Sequence, residues 1–469
     1  MTYLALTIGP IYKTLKDAKK TRELWGGSYI FSYIMKKIIE EFKERDFIVP
    51  YIKDKTIFES NREIGLFHDR FIFESQEGDQ KRLEKRVDEV LYYLSEDTKV
   101  DYNFLKSYFQ INIVQKELKD GANPILELTP YLDTAELFVE IAQYQENKLT
   151  TMLNGNNSFL TKEAFGAKKS FPSLPEIAMS DIDEVDIKKL LNADDELEVY
   201  ENRELKPHLK PYHRYYAIVH ADGDSMGEVV KSLKSQEDFQ DFSKKLFEYG
   251  EESHRLIKAF GAETIFAGGD DLLFFAPVVS NDKTIFELCD DISNHFNMLF
   301  QGTKASLSFG ISIQYYKFPL YEALDKSRGL LFTEAKSGKK NNIAFSVTKH
   351  SGQTFKAIMH KGDKELYENF RLFSSNLNGG ESVDNFLHSI HHKIESNRPL
   401  LKEISNSKEQ LQNFFDNYFN ESIHSEYREF FEQLVTFIYE SYRVAKSDEN
   451  PLDKVYATLR FIKFVQGDK

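Results

Sequence analysis

The spacing of apolar residues divides the chain into segments of two periods. Tyr3–Ile8 is a continuous apolar run closed by Gly9-Pro10 and predicts a buried strand. A helical stretch and the turn Trp25-Gly26-Gly27-Ser28 precede an apolar helix over Tyr29–Phe42, and Phe47–Tyr51 reads as a strand. Gly65–Phe73 predicts a tight hairpin, Gln80–Leu94 an amphipathic helix, Phe104–Val114 a strand and Asp133–Leu153 a helix. Between Asn154 and Pro211, Asn-Gly, proline and acidic clusters replace any clear period, apart from a short helix near Ile182–Leu191.

The pattern sharpens from Tyr212. Tyr215–Val219 is an apolar strand, followed by the turn His220-Ala221-Asp222-Gly223-Asp224-Ser225-Met226-Gly227 and a helix over Ser235–Phe260. Two short strands, Glu263–Phe266 and Leu272–Ala276, flank Gly268-Gly269-Asp270-Asp271. A helix over Thr284–Phe300, a strand over Ala305–Gln314, a helix over Tyr321–Ser337 and a final strand over Asn342–Val347 complete the unit. The order β-α-β-β-α-β is that of a ferredoxin-like, or palm, domain. Five helical stretches follow: Glu365–Phe373, Val383–Ser396, Lys408–Phe419, Tyr427–Val444 and Leu452–Val465. Their short connections predict an antiparallel bundle.

A weak internal repeat runs through this order. The first 150 residues also read strand, helix, hairpin, helix, strand, helix, with Phe67–Phe73 standing where Phe266–Phe275 stands later. Gly9-Pro10 occupies the position of Asp222, so only the second unit carries carboxylates for metal chemistry. The expected architecture is α+β: a degenerate first palm (1–153), a connector (154–210), a catalytic palm (211–350) and a C-terminal helical domain (351–469), with the palms face to face.

Composition narrows the setting. A chain of 469 residues, 41% hydrophobic, is globular and too long for one core. Its net charge of −14 argues against nucleic-acid binding by the whole surface and suits a protein that meets an anionic substrate through metal ions. The single cysteine, Cys289, sits in an apolar helical pattern and excludes an internal disulfide or a Cys-based zinc site. No basic, cleavable leader and no membrane-length apolar run is visible, so a soluble cytoplasmic protein is expected.

The candidate chemistry lies in the second palm. Gly268 and Gly269 supply the positive φ values of a tight hairpin, and Asp270 and Asp271 place two like charges at its tip. Such a pair is unfavourable unless a cation offsets it, and hard oxygen donors point to Mg²⁺ or Mn²⁺. Asp222 ends the neighbouring strand, so three carboxylates can converge to hold two metals about 4 Å apart for nucleotidyl transfer from a nucleoside triphosphate. Gly223, Asp224, Ser225, Met226 and Gly227 form a turn whose amides could cradle the phosphates. Lys336 could add a point charge, and Ser308 could line the site.

Blander readings stand beside each of these. Gly-Gly-Asp-Asp alone could be a surface turn; the Ala-Asp-Gly-Asp turn one strand-helix unit upstream is what favours function. A helix-terminal lysine such as Lys336 is commonly solvated, and Ser308 reads equally as a strand residue. Trp25-Gly26-Gly27-Ser28 could contact a second nucleotide or simply pack. His68-Asp69 lacks further ligands for a metal phosphohydrolase site and is set aside, and His388, His391 and His392 read as a solvated helix face.

These residues also resemble a family. Thr21–Tyr29 with its following apolar helix, the Ala221–Gly227 turn, Gly268-Gly269-Asp270-Asp271 and the tail Asp453–Val465 with Leu459-Arg460-Phe461-Ile462-Lys463-Phe464 are similar, over nearly the whole chain, to the large subunit of type III CRISPR effector complexes, most of all its Cmr (type III-B) branch. The resemblance implies ATP bound between two palms and cyclic oligoadenylate messengers made when the complex captures a foreign transcript. Other complex subunits, guide RNA and target RNA are the implied partners. It matches Asp222, Asp270 and Asp271 to the metal-binding and catalytic carboxylates, and Gly268 and Gly269 to the hairpin glycines. Many members open with an HD nuclease domain and carry a cysteine zinc site. This chain opens with the first palm and has only Cys289, so neither is expected. Some relatives adenylate S-adenosylmethionine instead. A stand-alone cyclase related to diguanylate cyclases and an inactive scaffold are the alternatives.

Overall fold

The computed structural model describes residues 1–58, 64–137, 149, 153, 171–182, 209–377, 390, 392–417, 428–445 and 450–466. In the first palm the elements are β1 (Thr2–Gly9), α1 (Ile11–Lys16), α2 (Thr21–Glu40), β2 (Phe47–Val49), β3 (Arg70–Glu74), α3 (Asp79–Thr98), α4 (Tyr102–Tyr108), β4 (Gln110–Glu117) and α5 (Pro124–Glu136). Strands lie in the order β2-β3-β1-β4 and pair antiparallel.

The predicted Gly65–Phe73 unit is not a tight hairpin. Within it only Arg70–Phe73 is strand, as part of β3, whose outer partner is β2. Residues 104–108 are helical, because Asp101 caps a short helix by accepting from the Phe104 amide at 2.9 Å. The predicted turn Trp25-Gly26-Gly27-Ser28 lies inside α2. There Trp25 is buried, stacked on Tyr29 at 5.0 Å and facing Phe171 at 5.8 Å, so tertiary packing overrides the two glycines. Helix α5 starts at Pro124 behind an Asn123 cap and runs through the first residues of the helix expected over Asp133–Leu153; most of the remainder of that stretch lies outside the described residues. A five-residue helix, α6 (Leu174–Ala178), is what the described residues of the connector contain, and the helix expected beyond Ile182 lies outside them.

The second palm comprises β5 (Tyr215–Asp224), α7 (Met226–Ser232), α8 (Gln236–Ala259), β6 (Glu263–Gly268), β7 (Asp271–Pro277), the small ribbon β8 (Val279–Ser280) and β9 (Lys283–Thr284), α9 (Ile285–Leu299), β10 (Ser306–Tyr315), α10 (Leu320–Gly329), a π-helical turn (Leu330–Ala335), β11 (Asn342–Thr348) and β12 (Thr354–His360). Capping boxes start α8 (Ser235 with Asp238) and α9 (Thr284 with Glu287). The six strands run β12-β11-β10-β5-β7-β6. Within them β6-β7-β5-β10 repeats the β2-β3-β1-β4 order of the first palm, so the two units share one topology. β10 and β11 are parallel, joined through α10, and β12 pairs antiparallel with β11. The sheet therefore continues to His360, past the expected end of this unit at 350. A polar surface strand of alternating burial was not read as a strand from the sequence.

The palms interlock. Helix α2 of the first lies against β6 of the second, α8 of the second against β2 of the first, and α1 against α10. The remaining helices are α11 (Lys364–Ser374), α12 (Arg398–Ile404), α13 (Lys408–Asp416), α14 (Arg428–Val444) and α15 (Leu452–Gln466). Helix α15 packs on β12 and α11, and Phe461 meets Phe286 edge-on at 4.8 Å, tying the tail to the second palm. Cys289 is free and buried in α9, as its apolar setting predicts. No described helix is long and apolar enough to cross a membrane.

Candidate active site at the inter-palm face

The site begins with the alternation of β5. Asp222 and Asp224 point to one face of the sheet, opposite Ser308 and Ser306 on β10, while Gly223 between them faces the other way. Asp224 is 1% exposed and accepts hydrogen bonds from the Ser306 hydroxyl (2.9 Å), the Ser308 hydroxyl (2.8 Å) and the Asn341 amide (2.9 Å). Its other oxygen, Oδ1, is buried without a hydrogen-bond partner. Ser308 is fully buried and also accepts from the amides of Asn341 (3.1 Å) and Asn342 (3.3 Å). Asp224 and Ser308 thus hold the turn from beneath, and Ser308, expected to line the site, is buried under it.

The β6–β7 hairpin brings the acidic pair to this turn. Ala221 pairs with Leu272, so the next step along both strands sets Asp222 beside Asp271 and Gly223 beside Asp270. The fit is close: a Cβ on Gly223 would lie 2.5 Å from Asp270 Oδ2 and 2.8 Å from Asp270 Cβ, so only glycine leaves room. Gly269 turns the tip at φ 69°. Asp270 and Asp271 are each partly exposed. Burial pushes Asp270 up to about 6, with Asp224 and Asp69 adding to the rise against the Gly223 amide. Burial pushes Asp271 up to about 7, reinforced by Asp270 and Asp69 and opposed by Arg328.

Lys336 follows the π-helical turn. Its ammonium forms an ion pair with Asp222, donates to the Gly223 carbonyl at 2.8 Å and lies 3.9 Å from Asp224 Oδ1. Burial, with Lys340 adding, lowers it to about 8, so it remains a cation at neutral pH. Ser225, at φ 59°, leads into α7, whose seven residues make a short dipole. Gly227 has open space around it and Met226 folds over Gly223.

The donor chemistry fits a hard divalent cation: adjacent carboxylates raised by burial and mutual charge, and an orphaned buried oxygen on Asp224. The three-carboxylate cluster is not fully assembled, however. Among the described residues no group of three or more His, Cys, Asp or Glu side chains is arranged to hold a metal, and the Lys336 ammonium is paired with Asp222.

Two residues set aside on the sequence lie at this site. His68 and Asp69 immediately precede β3, as Gly269 and Asp270 precede β7, and the charge of Asp69 reaches both Asp270 and Asp271. Aligning the two repeats strand by strand would have found them. Tyr12 and Arg328 were also unmarked; the Arg328 guanidinium stacks on the Tyr12 ring at 4.0 Å, and Tyr12 bonds to Asp325 across the palms. His388 and His391 lie outside the described residues. A separate groove of about 680 Å³ between β12 and α15, flanked by Lys356 and Arg460, contains none of these carboxylates.

Comparison with known proteins matches this arrangement to both halves of one family. The family model "Cas10/Cmr2, second palm domain" covers residues 215–344, and "CRISPR-associated protein Cmr2, N-terminal" covers residues 3–126. The CRISPR system Cmr subunit Cmr2 of Pyrococcus furiosus is 29% identical over 174 residues, an alignment that takes in 31% of this chain and 20% of that protein's length. Among solved structures, a Csm1–Csm4 cassette in complex with cA4 has a TM-score of 0.58 at 13% identity, covering 99% of this chain and 70% of that one. The same cassette with pppApA gives 0.55 at 12%, covering 100% and 69%. The apo type III-B Cmr-beta structure gives 0.50 at 11%, covering 76% and 70%. These last likenesses are of fold. With its two palms matched in order by the two family models, the chain belongs to the Cas10/Cmr2 family of CRISPR-associated proteins, as a Cmr-type member.

Proposed function

We propose that this chain is the nucleotidyl cyclase subunit of an RNA-guided effector complex and joins ATP molecules into a cyclic oligoadenylate. A ribose hydroxyl of one nucleotide attacks the α-phosphorus of another, the bond to the β-phosphate breaks, and pyrophosphate leaves with the hydroxyl proton passing to solvent. The observation that carries this reading is the Asp270–Asp271 pair folded back onto Gly223, both carboxyls raised by burial, beside Asp222. A divalent cation held by Asp222, Asp270 and Asp271 would supply positive charge to the triphosphate and make the hydroxyl easier to deprotonate. The chain's own part is positioning. The Gly223–Gly227 turn offers backbone amides to the phosphates, and Lys336 can move from Asp222 to a phosphate when a cation replaces it. Asp224 and Ser308 hold that turn through their buried hydrogen bonds. Structures of Csm1–Csm4 cassettes with one ATP and with cA4 support ATP as the substrate class. The acidic surface, net −14, supports guide-RNA contact through partner subunits.

The test is product analysis. The assembled complex, with guide RNA, Mn²⁺, ATP and target RNA, should yield oligoadenylates and pyrophosphate by mass spectrometry, and Asp270→Ala with Asp271→Ala should abolish both. Absence of product from the unsubstituted complex would sink the reading. An adenylated S-adenosylmethionine formed when that compound is supplied would keep the transfer chemistry and change the acceptor.

A further inference from the structure

The first palm has no carboxylate on the strand equivalent to β5, yet its loop ending in His68-Asp69 touches the catalytic hairpin. A Cβ placed on Gly269 would meet His68 Nδ1 at 2.9 Å and Cε1 at 3.0 Å, so the imidazole rests against the tip of the Gly-Gly-Asp-Asp turn. The loop is not free to move away. The Phe67 amide donates to the buried Ser32 hydroxyl of α2 at 2.9 Å, and the Ile8 amide donates to the Asp69 carbonyl at 2.9 Å. Leu66 reaches across to α8, where a Cβ on Gly250 would lie 3.4 Å from its Cδ2 and 3.2 Å from the Ala267 carbonyl of β6. A strap from the first palm therefore bears on the hairpin tip and on α8, the helix that packs against β6.

The tip needs such a support. Asp270 and Asp271 repel one another, and Asp224 and Asp69 raise one or both of them as well. Like charges on adjacent residues favour a splayed turn. Gly269, in the left-handed region, offers little stiffness of its own. The His68 imidazole packed against Gly269 limits that motion.

Resting on the cyclase reading of the Asp270–Asp271 site, we propose that His68 is a positioning residue: it braces the Gly269 tip so that Asp270 and Asp271 stay in register with Gly223 and Asp222. The palm that lacks the chemistry thus sets the geometry of the palm that has it. The role is steric, so a ring of similar size should serve and a small side chain should not.

The experiment compares His68→Ala and His68→Phe in the assembled complex, reading ATP turnover and backbone hydrogen exchange at residues 268–272. His68→Ala should lower kcat about 100-fold with the ATP KM within about twofold, the scale expected for a misplacement near 1 Å. It should also speed exchange at 268–272 while exchange in β5 and β10 is unchanged. His68→Phe should restore at least a tenth of the lost rate and the slow exchange. Exchange at 268–272 that is the same in His68→Ala as in the natural chain would overturn the proposal, as would a His68→Phe variant as impaired as His68→Ala. A natural complex that makes no product from ATP would instead sink the cyclase reading, and the exchange data alone would then decide whether the brace exists. General loss of protection throughout His68→Ala would also overturn the proposal, since His68 would then stabilise the whole fold rather than the tip.

Discussion

Lys336 lies on Asp222, its ammonium paired to the carboxylate and bonded to the Gly223 carbonyl at 2.8 Å, on the strand that faces the acidic hairpin. On the proposed function, a divalent ion taken up by Asp222 would release this ammonium to the phosphates. Lys336→Ala should therefore cut product formation about 100-fold, in line with removing one charge donor from a phosphoryl-type transition state. Lys336→Arg should recover little, because a planar fork does not replace a point charge at this spacing. Steady-state kinetics over a Mn²⁺ series would check both, and an unchanged rate for Lys336→Ala would remove it from the machinery.

Gly223 tests the convergence itself. Gly223→Ala introduces a Cβ 2.5 Å from Asp270 Oδ2, so Asp270 must swing away. We expect at least a 100-fold fall in rate, with circular dichroism and thermal midpoint close to the natural protein, since the intrusion is local to the cleft. A variant of normal activity would mean that Asp270 need not lie against the turn.

Asp224 should matter to stability more than its carboxyl chemistry suggests. Asp224→Leu leaves the Asn341 amide and the Ser306 and Ser308 hydroxyls without their buried acceptor. A loss of about 2–4 kcal/mol in urea unfolding is expected. A change below about 0.5 kcal/mol would show that water replaces the carboxylate at no cost.

His68 gives the protein a pH dependence of known sign. Burial lowers its imidazole from 6.5 to about 4, so the folded protein holds it neutral while the unfolded chain protonates near 6.5. Its contribution is whole above pH 6.5 and is lost as pH falls through about 4. The full difference corresponds to about 3 kcal/mol as an upper figure. Between pH 7 and 4 the denaturant midpoint of the natural chain should fall relative to that of His68→Phe as the medium acidifies; parallel curves would contradict the neutral imidazole.

The second palm was legible because its signals are local. An apolar run before Asp222, a Gly-Gly turn before Asp270, and capping residues Ser235 and Thr284 each announce themselves within a few positions. The first palm was less so. Its β2–β3 connection is long, so the turn chemistry that marks a hairpin is missing, and His68-Asp69 gains meaning only from Gly269, about 200 residues away. Trp25-Gly26-Gly27-Ser28 reads as a turn by propensity and is helix because Tyr29 and Phe171 enclose the indole. Ser308 was placed on the right strand; its inward orientation depends on the β5–β10 register, which local sequence does not encode.

Helix α2 lying against β6 bears on how this molecule can be divided. β6 ends the six-stranded sheet on the side of the acidic turn, and an unshielded sheet margin invites pairing with other chains. Expressing the second palm by itself would strip away that shield together with the strap that carries Leu66. Such a fragment would be sticky and catalytically misaligned at once, so dissection of this protein is better done by side-chain replacement than by cutting between the palms.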